Sequence, residues 1–254
     1  MTPQDQYVFQ VLQKYALPTG PSSPAAMSAN TIAPLVRQWA GQSLIDLFPS
    51  GSYAKGTAVR GSTDIDLFLS FRADTQGTLN DLYESVFSFA SRQGWSPRRQ
   101  NVSIGINFYG TKIDLVPGRI QPGYQNYHWL YRRKADTWVQ TNVSVQIEAV
   151  KKSQRLNEIR ALKIWRNLRN LDIPSFYLEL TVIDSLYRRP TDALADNVMH
   201  ALQHIASNFL TARVIDPANT NNTISDDLTN AEKQVVAAQA LLSTRAQTWE
   251  QIIW

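Results

Sequence analysis

Residues 50–71 read SGSYAKGTAVRGSTDIDLFLSF, and the fold turns on how this stretch is understood. In its second half, TDIDLFLSF (63–71), Ile65, Leu67 and Leu69 alternate with Asp64, Asp66, Phe68 and Ser70. A period of two marks a strand with one apolar face. Asp64 and Asp66 then leave the same face of that strand. Carboxylates that close repel one another and, if partly buried, need a cation or a proton. Magnesium prefers oxygen ligands and takes one or two carboxylates together with substrate phosphates. A third carboxylate on a neighbouring strand would complete a two-metal site. Asp114 in TKIDLVPG (111–118) fits, in a short apolar strand that stops at Pro117.

Upstream, GSYAKG (51–56) reads as a turn into a helix start. Gly51 permits close backbone approach, Ser52 can cap or bind phosphate, and Lys55 is a further phosphate candidate. The free N–H groups of a helix start attract phosphate oxygens. A phosphate cradle, a metal-binding pair and a third acid, in that order, are the equipment for nucleotidyl transfer. One metal ion activates a hydroxyl and the other neutralises the triphosphate and the leaving pyrophosphate.

The bulk composition agrees with a folded enzyme and excludes several alternatives. The chain has 254 residues, 43% apolar and 18% charged, enough for one large domain or two lobes. Its net charge of +4 suits an anionic ligand. There is no cysteine, which excludes disulfides, zinc–thiolate sites and cysteine nucleophiles. The opening MTPQDQYVFQVLQKY is too polar for a signal peptide, and no apolar run approaches the ~20 residues that span a bilayer. The expectation is a soluble cytoplasmic protein without membrane contact of its own.

Helices are expected over 3–16, from the Pro/Gly/Ser-rich connector ALPTGPSSPAA to about Gly41, and over 78–93. Two short strands flank the turn signal Tyr109-Gly110. Residues 124–138 are aromatic and basic without a clear period. From about 141 the pattern is helical: 143–170, 174–187, 191–210 and, after the turn-rich DPANTNNTIS, 226–253. The expected class is α/β (α+β), with a catalytic lobe over 1–140 holding a mixed sheet, a helical lobe over 141–254, and the active site in the cleft between them.

The set GSYAKGTAVRGSTDIDLFL with a later IDLVP resembles the DNA polymerase β nucleotidyltransferase superfamily and its palm. Its long form is similar to archaeal-type CCA-adding enzymes, oligoadenylate synthases and bacterial cGAS/DncV-like nucleotidyltransferases (CD-NTases). The resemblance runs over roughly 40–235. In QRLNEIRALKIWRNL it implies a triphosphate-binding lysine at Lys163, in IPSFYLEL a triphosphate-binding serine at Ser175, and in VIDPANTNN the family's DPAN turn. It implies two Mg²⁺ ions, with Mn²⁺ as substitute, on Asp64, Asp66 and Asp114, and triphosphate on Gly51, Ser52, Lys163 and Ser175. The implied activity joins NTPs or dNTPs without a template into a short cyclic or linear oligonucleotide. Nucleic acid is then mainly product, read by an effector protein, and bacterial anti-phage defence is the implied setting.

Two departures bear on the alternatives. Where the CCA-adding enzymes carry a His after the third Asp, QTNVSVQ offers Thr141, Asn142 and Ser144. Their further tRNA-gripping domains have no counterpart in this sequence. CCA- or poly(A)-type tailing, AMP transfer to a small molecule or protein, and a non-catalytic nucleotide-binding module remain open. The basic strips Arg98-Arg99, Arg132-Arg133-Lys134 and Lys151-Lys152 read first as solvated faces. Trp129, Tyr131, Trp138 and Tyr187 are candidates for stacking a base, with packing the commoner role. His200 and His204 have zinc spacing but no third ligand follows.

Overall fold

A central pair of parallel strands positions everything that concerns function, and the computed structural model describes it within residues 1–61 and 64–254. The expected start of the strand at Thr63 lies outside the described residues. Strand β2 (Ile65–Phe71) pairs in parallel with β5 (Thr111–Ile120). On the outer side of β2, β1 (Leu44–Pro49) runs antiparallel. Beyond β5 come β4 (Ile104–Phe108) and the two-residue β3 (Arg98–Arg99), both antiparallel to their neighbours. The far end of β5 also pairs with β6 (His128–Arg132), which forms a hairpin with β7 (Thr137–Thr141).

The apolar face of this sheet is covered by α2 (Pro24–Ala40) and α4 (Leu79–Arg92). Ile32 and Val36 from the first and Leu82, Val86 and Phe89 from the second pack on Ile65, Leu67, Leu69, Ile113 and Leu115. Ser23 caps α2 ahead of Pro24, and Thr78 and Asp81 close a capping box on α4. The short helix α3 (Gly51–Lys55) joins β1 to the segment before β2.

The chain divides into two compact units. The sheet unit comprises 18–55 and 64–147, and the helical unit 1–17, 56–63 and 148–254. In the helical unit, α1 (Pro3–Lys14), α6 (Leu156–Leu168), α7 (Ser175–Ser185), α8 (Leu194–Asn208) and α9 (Asn230–Thr244) share one core. The sequence reading puts the boundary at 140/141 and the first helix in the catalytic lobe. In the structure α1 packs in the helical unit, because Val8, Val11 and Leu12 have their apolar partners there. The division falls inside α5 (Val143–Lys152).

Other elements differ from expectation for local reasons. The single helix expected over 143–170 is two, α5 and α6. Gln154 takes a left-handed φ of 60°, and Ser153 turns its hydroxyl back onto the carbonyl of Val150. The buried guanidinium of Arg155 then serves the end of α7, donating to the carbonyls of Leu186, Arg189 and Pro190. The last helix stops at Thr244 rather than near 253. DPANT is a tight hairpin of β8 (Ile215–Asp216) and β9 (Asn219–Thr223), with Asp216 accepting from the N–H of Ala218.

Asp5 ties α1 to α8. One carboxylate oxygen completes the capping box with Thr2, and the other accepts the N–H of Ala195 at 2.8 Å. Helix α8 has no side-chain cap of its own. The Ala195 bond, aided by Thr2, holds the Asp5 carboxyl below its ordinary value. A depressed acid stabilises the fold above its unfolded value near 4 and loses that contribution as pH falls through the lower folded value. Asp5→Ala is expected to cost about 1–3 kcal/mol at neutral pH in thermal unfolding. The gap to wild type should close below about pH 4.

Candidate functional site

Register alone sets Asp66 beside Asp114, as Cα partners across the parallel β2–β5 pair. Registered residues of parallel strands point to the same side, so both carboxylates stand on the face opposite the helix-covered core. Asp64 immediately precedes β2, and its charge acts on Asp114. The Asp114 carboxyl is pushed up to about 6, first by burial and then by Asp64. Hydrogen bonds from Ser103 and Gln100 pull the other way without overcoming them.

Gly51 touches this group directly. The N–H of Ser50 donates to the carbonyl of Asp66 at 2.8 Å, which stitches the start of α3 onto β2. Gly51 has a φ of +57°, and a Cβ added there would lie 1.8 Å from Asp66 Oδ2. Only glycine satisfies both constraints. Ser52 follows in the first turn of α3 and is buried. Phe68, one pleat below Asp66, needs the same economy at Gly118, where a Cβ would stand 2.4 Å from its ring.

Beside the acids lies a recess of ≈ 140 Å³. Ser50, Gly51, Lys55 and Asp66 line it, with Phe68, Val116, Leu130 and Ile147 as apolar lining and Thr141 and Gln146 beside them. A cavity of about 150 Å³ holds one benzene ring. The recess therefore matches a fragment of a nucleotide rather than a whole one.

The donor set suits a hard divalent cation: the acids offer only oxygen, and the Asp114 carboxyl is raised by burial and by the neighbouring Asp64 charge, both of which a cation would offset. Among the described residues, no three acidic or histidine side chains stand close enough together to hold a metal ion. The backbone thus brings the three carboxylates to neighbouring positions without gathering them into a finished cage.

Lys163 and Ser175 lie in the helical unit, and each has partners there. Lys163 is 1% exposed. Its ammonium donates to Glu179 at 2.6 Å and to the Thr57 hydroxyl at 2.9 Å, inside an apolar core. A triphosphate would have to displace Glu179, whose side chain is fully buried. Ser175 is the first residue of α7, and its hydroxyl accepts from the buried Arg166 at 3.0 Å.

The remaining candidates are resolved as follows. Arg99 pairs with Glu84 and lies over the Phe87 ring, and Lys152 pairs with Glu148, as solvated strips do. Trp129 and Trp138 pack edge to face, while Tyr187 is exposed. Thr141 is buried in the recess wall and Ser144 is exposed. His128 is a satisfied core residue: Nδ1 donates to the Asn126 carbonyl, leaving Nε2 to accept from Ser70. Burial pushes its pKa down.

Comparison with known proteins reaches the same architecture. No family model matches the chain. A cyclic AMP-AMP-AMP synthase of Escherichia coli (strain MS 115-1) is 25% identical over 210 residues. That match covers 72% of this chain and 65% of the synthase, so the chain spans less than two thirds of that relative's length. The structure of E. coli MS115-1 CdnC, solved as a complex with HORMA-deltaN, aligns at a TM-score of 0.78 and 18% identity. It covers 97% of this chain and 96% of that one. The Bradyrhizobium diazoefficiens CD-NTase CdnG, in complex with GTP, aligns at 0.76 and 14% identity over 96% and 90%.

The chain has the polymerase β-type nucleotidyltransferase fold. In a nucleotidyltransferase fold of this kind, the reading from sequence missed Gln100, which donates to Asp114, and Ser103, which stands against both. Numbering outward from the Tyr109-Gly110 turn sets Gly105 opposite Asp114, as observed, but the same count would carry residues 100–103 past the third acid, so the register gave no signal for them.

The raised Asp114 carboxyl has a consequence for metal-free protein. The folded state holds a proton that the unfolded chain has already released. The penalty of ionising Asp114 is absent below the unfolded value near 4 and complete above about 6. Unfolding followed in chelator from pH 4 to 7 is expected to show wild type losing stability relative to Asp114→Asn across that window. Parallel pH curves for the two proteins would contradict this.

Proposed function

We propose that the chain is a template-independent nucleotidyltransferase that joins nucleoside or deoxynucleoside triphosphates into a short oligonucleotide and releases pyrophosphate. The observation that carries this reading is the registered Asp66–Asp114 pair, with Gly51 pressed against Asp66. Acids are held at the point where a helix start leaves room for phosphate. The 25% identical relative, named for a cyclic AMP trimer, supports a cyclic product.

The backbone at Gly51 and the hydroxyl of Ser52 bind the incoming triphosphate, and Lys55 in the recess lining adds positive charge. Asp64, Asp66 and Asp114 would hold two divalent cations, Mg²⁺ or Mn²⁺, which supply charge neutralisation on the triphosphate and the leaving group. The acceptor hydroxyl oxygen forms a bond to the α-phosphorus as the α–β bridging bond breaks. The hydroxyl proton passes to the Asp114 carboxylate and the electron pair leaves with pyrophosphate. Positioning and charge complementarity supply most of the rate. Lys163 acts at a distance from phosphate, by fixing Thr57, five residues after Ser52, through Glu179. Ser175 orients Arg166.

The product is a signal read by an effector protein, in bacterial cytoplasm and in defence against phage. Resemblance to the CD-NTases supports this setting, and among the described residues no helix is long and apolar enough to cross a membrane.

The test is a product assay. Protein with Mg²⁺ or Mn²⁺ is given the four NTPs and four dNTPs without primer, and products are read by mass spectrometry. Oligonucleotides are expected from wild type and none from Asp64→Asn/Asp66→Asn, with both proteins equally folded. Extension of an added tRNA with no primer-free product would contradict the reading, as would wild-type turnover in the double variant.

A further inference from the structure

The carboxylate of Asp114 is gripped by a small network of uncharged side chains, Gln100 and Ser103, with the charges of Asp64 and Arg98 acting on it from outside. Gln100 Nε2 donates to Asp114 Oδ1 at 2.8 Å. Ser103 Oγ lies 3.0 Å from Gln100 Oε1 and 3.4 Å from Asp114 Oδ2. A hydroxyl has one proton, and the nearer acceptor is the amide oxygen. Ser103 thus fixes which end of the Gln100 amide faces Asp114.

The turn that carries both residues is itself held. Its ends meet through the Gln100 N–H and the Ser103 carbonyl at 3.0 Å. The buried Tyr83 places its hydroxyl 2.8 Å from the Gln100 carbonyl and 3.1 Å from that of Ser103. Gly105, opposite Asp114, leaves the necessary space: a Cβ there would fall 2.7 Å from Gln100 Nε2 and 3.2 Å from Asp114 Oδ1.

We propose that Gln100, oriented by Ser103, is a positioning residue that sets the Asp114 carboxylate for the cation and the acceptor hydroxyl. The proposal rests on the reaction assigned above. A neutral donor suits the task. A lysine or arginine at this place would orient Asp114 equally well but would neutralise it, and so compete with the divalent cation. The amide adds no charge of its own. Hydrogen-bonding partners of metal-binding carboxylates carry about 10–100-fold in affinity or activity when removed.

The experiment measures Mn²⁺ affinity of the full chain by electron paramagnetic resonance, beside steady-state kinetics. Gln100→Met keeps the side-chain length and removes the donor, and Ser103→Ala keeps the donor and frees its orientation. Gln100→Met is expected to bind Mn²⁺ about 10–100-fold more weakly, with kcat reduced, KM for nucleotide unchanged and the thermal midpoint at the wild-type value. Ser103→Ala should shift the same quantities by less, and it carries the test if Gln100→Met does not fold. Wild-type Mn²⁺ affinity in both variants would overturn the proposal, whatever happens to stability. A wild-type protein silent in the nucleotide assay, but with Mn²⁺ affinity dependent on Gln100, would remove the reaction and keep the clamp. An active enzyme indifferent to Gln100 would do the reverse. Absence of Mn²⁺ binding by wild type would overturn both.

Discussion

The parallel pairing of β2 with β5 is the constraint on which the rest depends. It puts Asp66 and Asp114 at the same level on neighbouring strands and, by the alternation of side chains, on one face. The same alternation sends Ile65, Leu67, Ile113 and Leu115 into the core, so the hydrophobic effect fixes where the acids go. A slip of one residue would bury the carboxylates and expose the isoleucines. Placement of the acids and stability of the sheet are thus enforced by one register. The close approach at Gly51 then joins the turn that starts α3 to the same strand.

The helical unit offers a second example of charge used for placement. Lys163, Glu179 and Thr57 meet where no water competes. A buried ion pair is an uncertain source of net stability, but removal of one partner leaves the other charge stranded at a cost of about 3–5 kcal/mol. What such a pair supplies is position. Glu179 accepts from Lys163 and Thr57 together, which ties α6 and α7 to the segment that follows α3 in the chain. The resemblance implies a triphosphate-binding lysine at Lys163; in the structure its ammonium holds Glu179 and Thr57.

Legibility in the sequence followed the strength of the local pattern. The period-two alternation of 65–71 and the Tyr109-Gly110 turn were readable, and with them the acids. Capping boxes at Thr2 and Thr78 accompany helix starts that apolar spacing had suggested, while the last helix, expected from 226, starts after its Thr229 cap. The β6–β7 hairpin was not readable. Trp129, Tyr131 and Trp138 share one face with Gln140, yet Leu130 and Val139 are apolar on the other, so no alternation shows. The break at Gln154 carries no glycine or proline to announce it. Lys163 illustrates a deeper limit: its partner Thr57 is 106 residues away, and helical spacing cannot reveal a buried ion pair formed at that range. Gln100 and Ser103 were hidden because polar residues in a short turn ordinarily face solvent.

Crystals of the protein grown with Mn²⁺ and a non-hydrolysable nucleoside triphosphate test the central claim most directly, by anomalous scattering at the manganese edge. The account predicts anomalous peaks bridging the carboxylates of Asp64, Asp66 and Asp114 to the triphosphate, with the phosphates against Gly51 and Ser52. Triphosphate bound elsewhere, or bound at Gly51 with no manganese at the three acids, would contradict it.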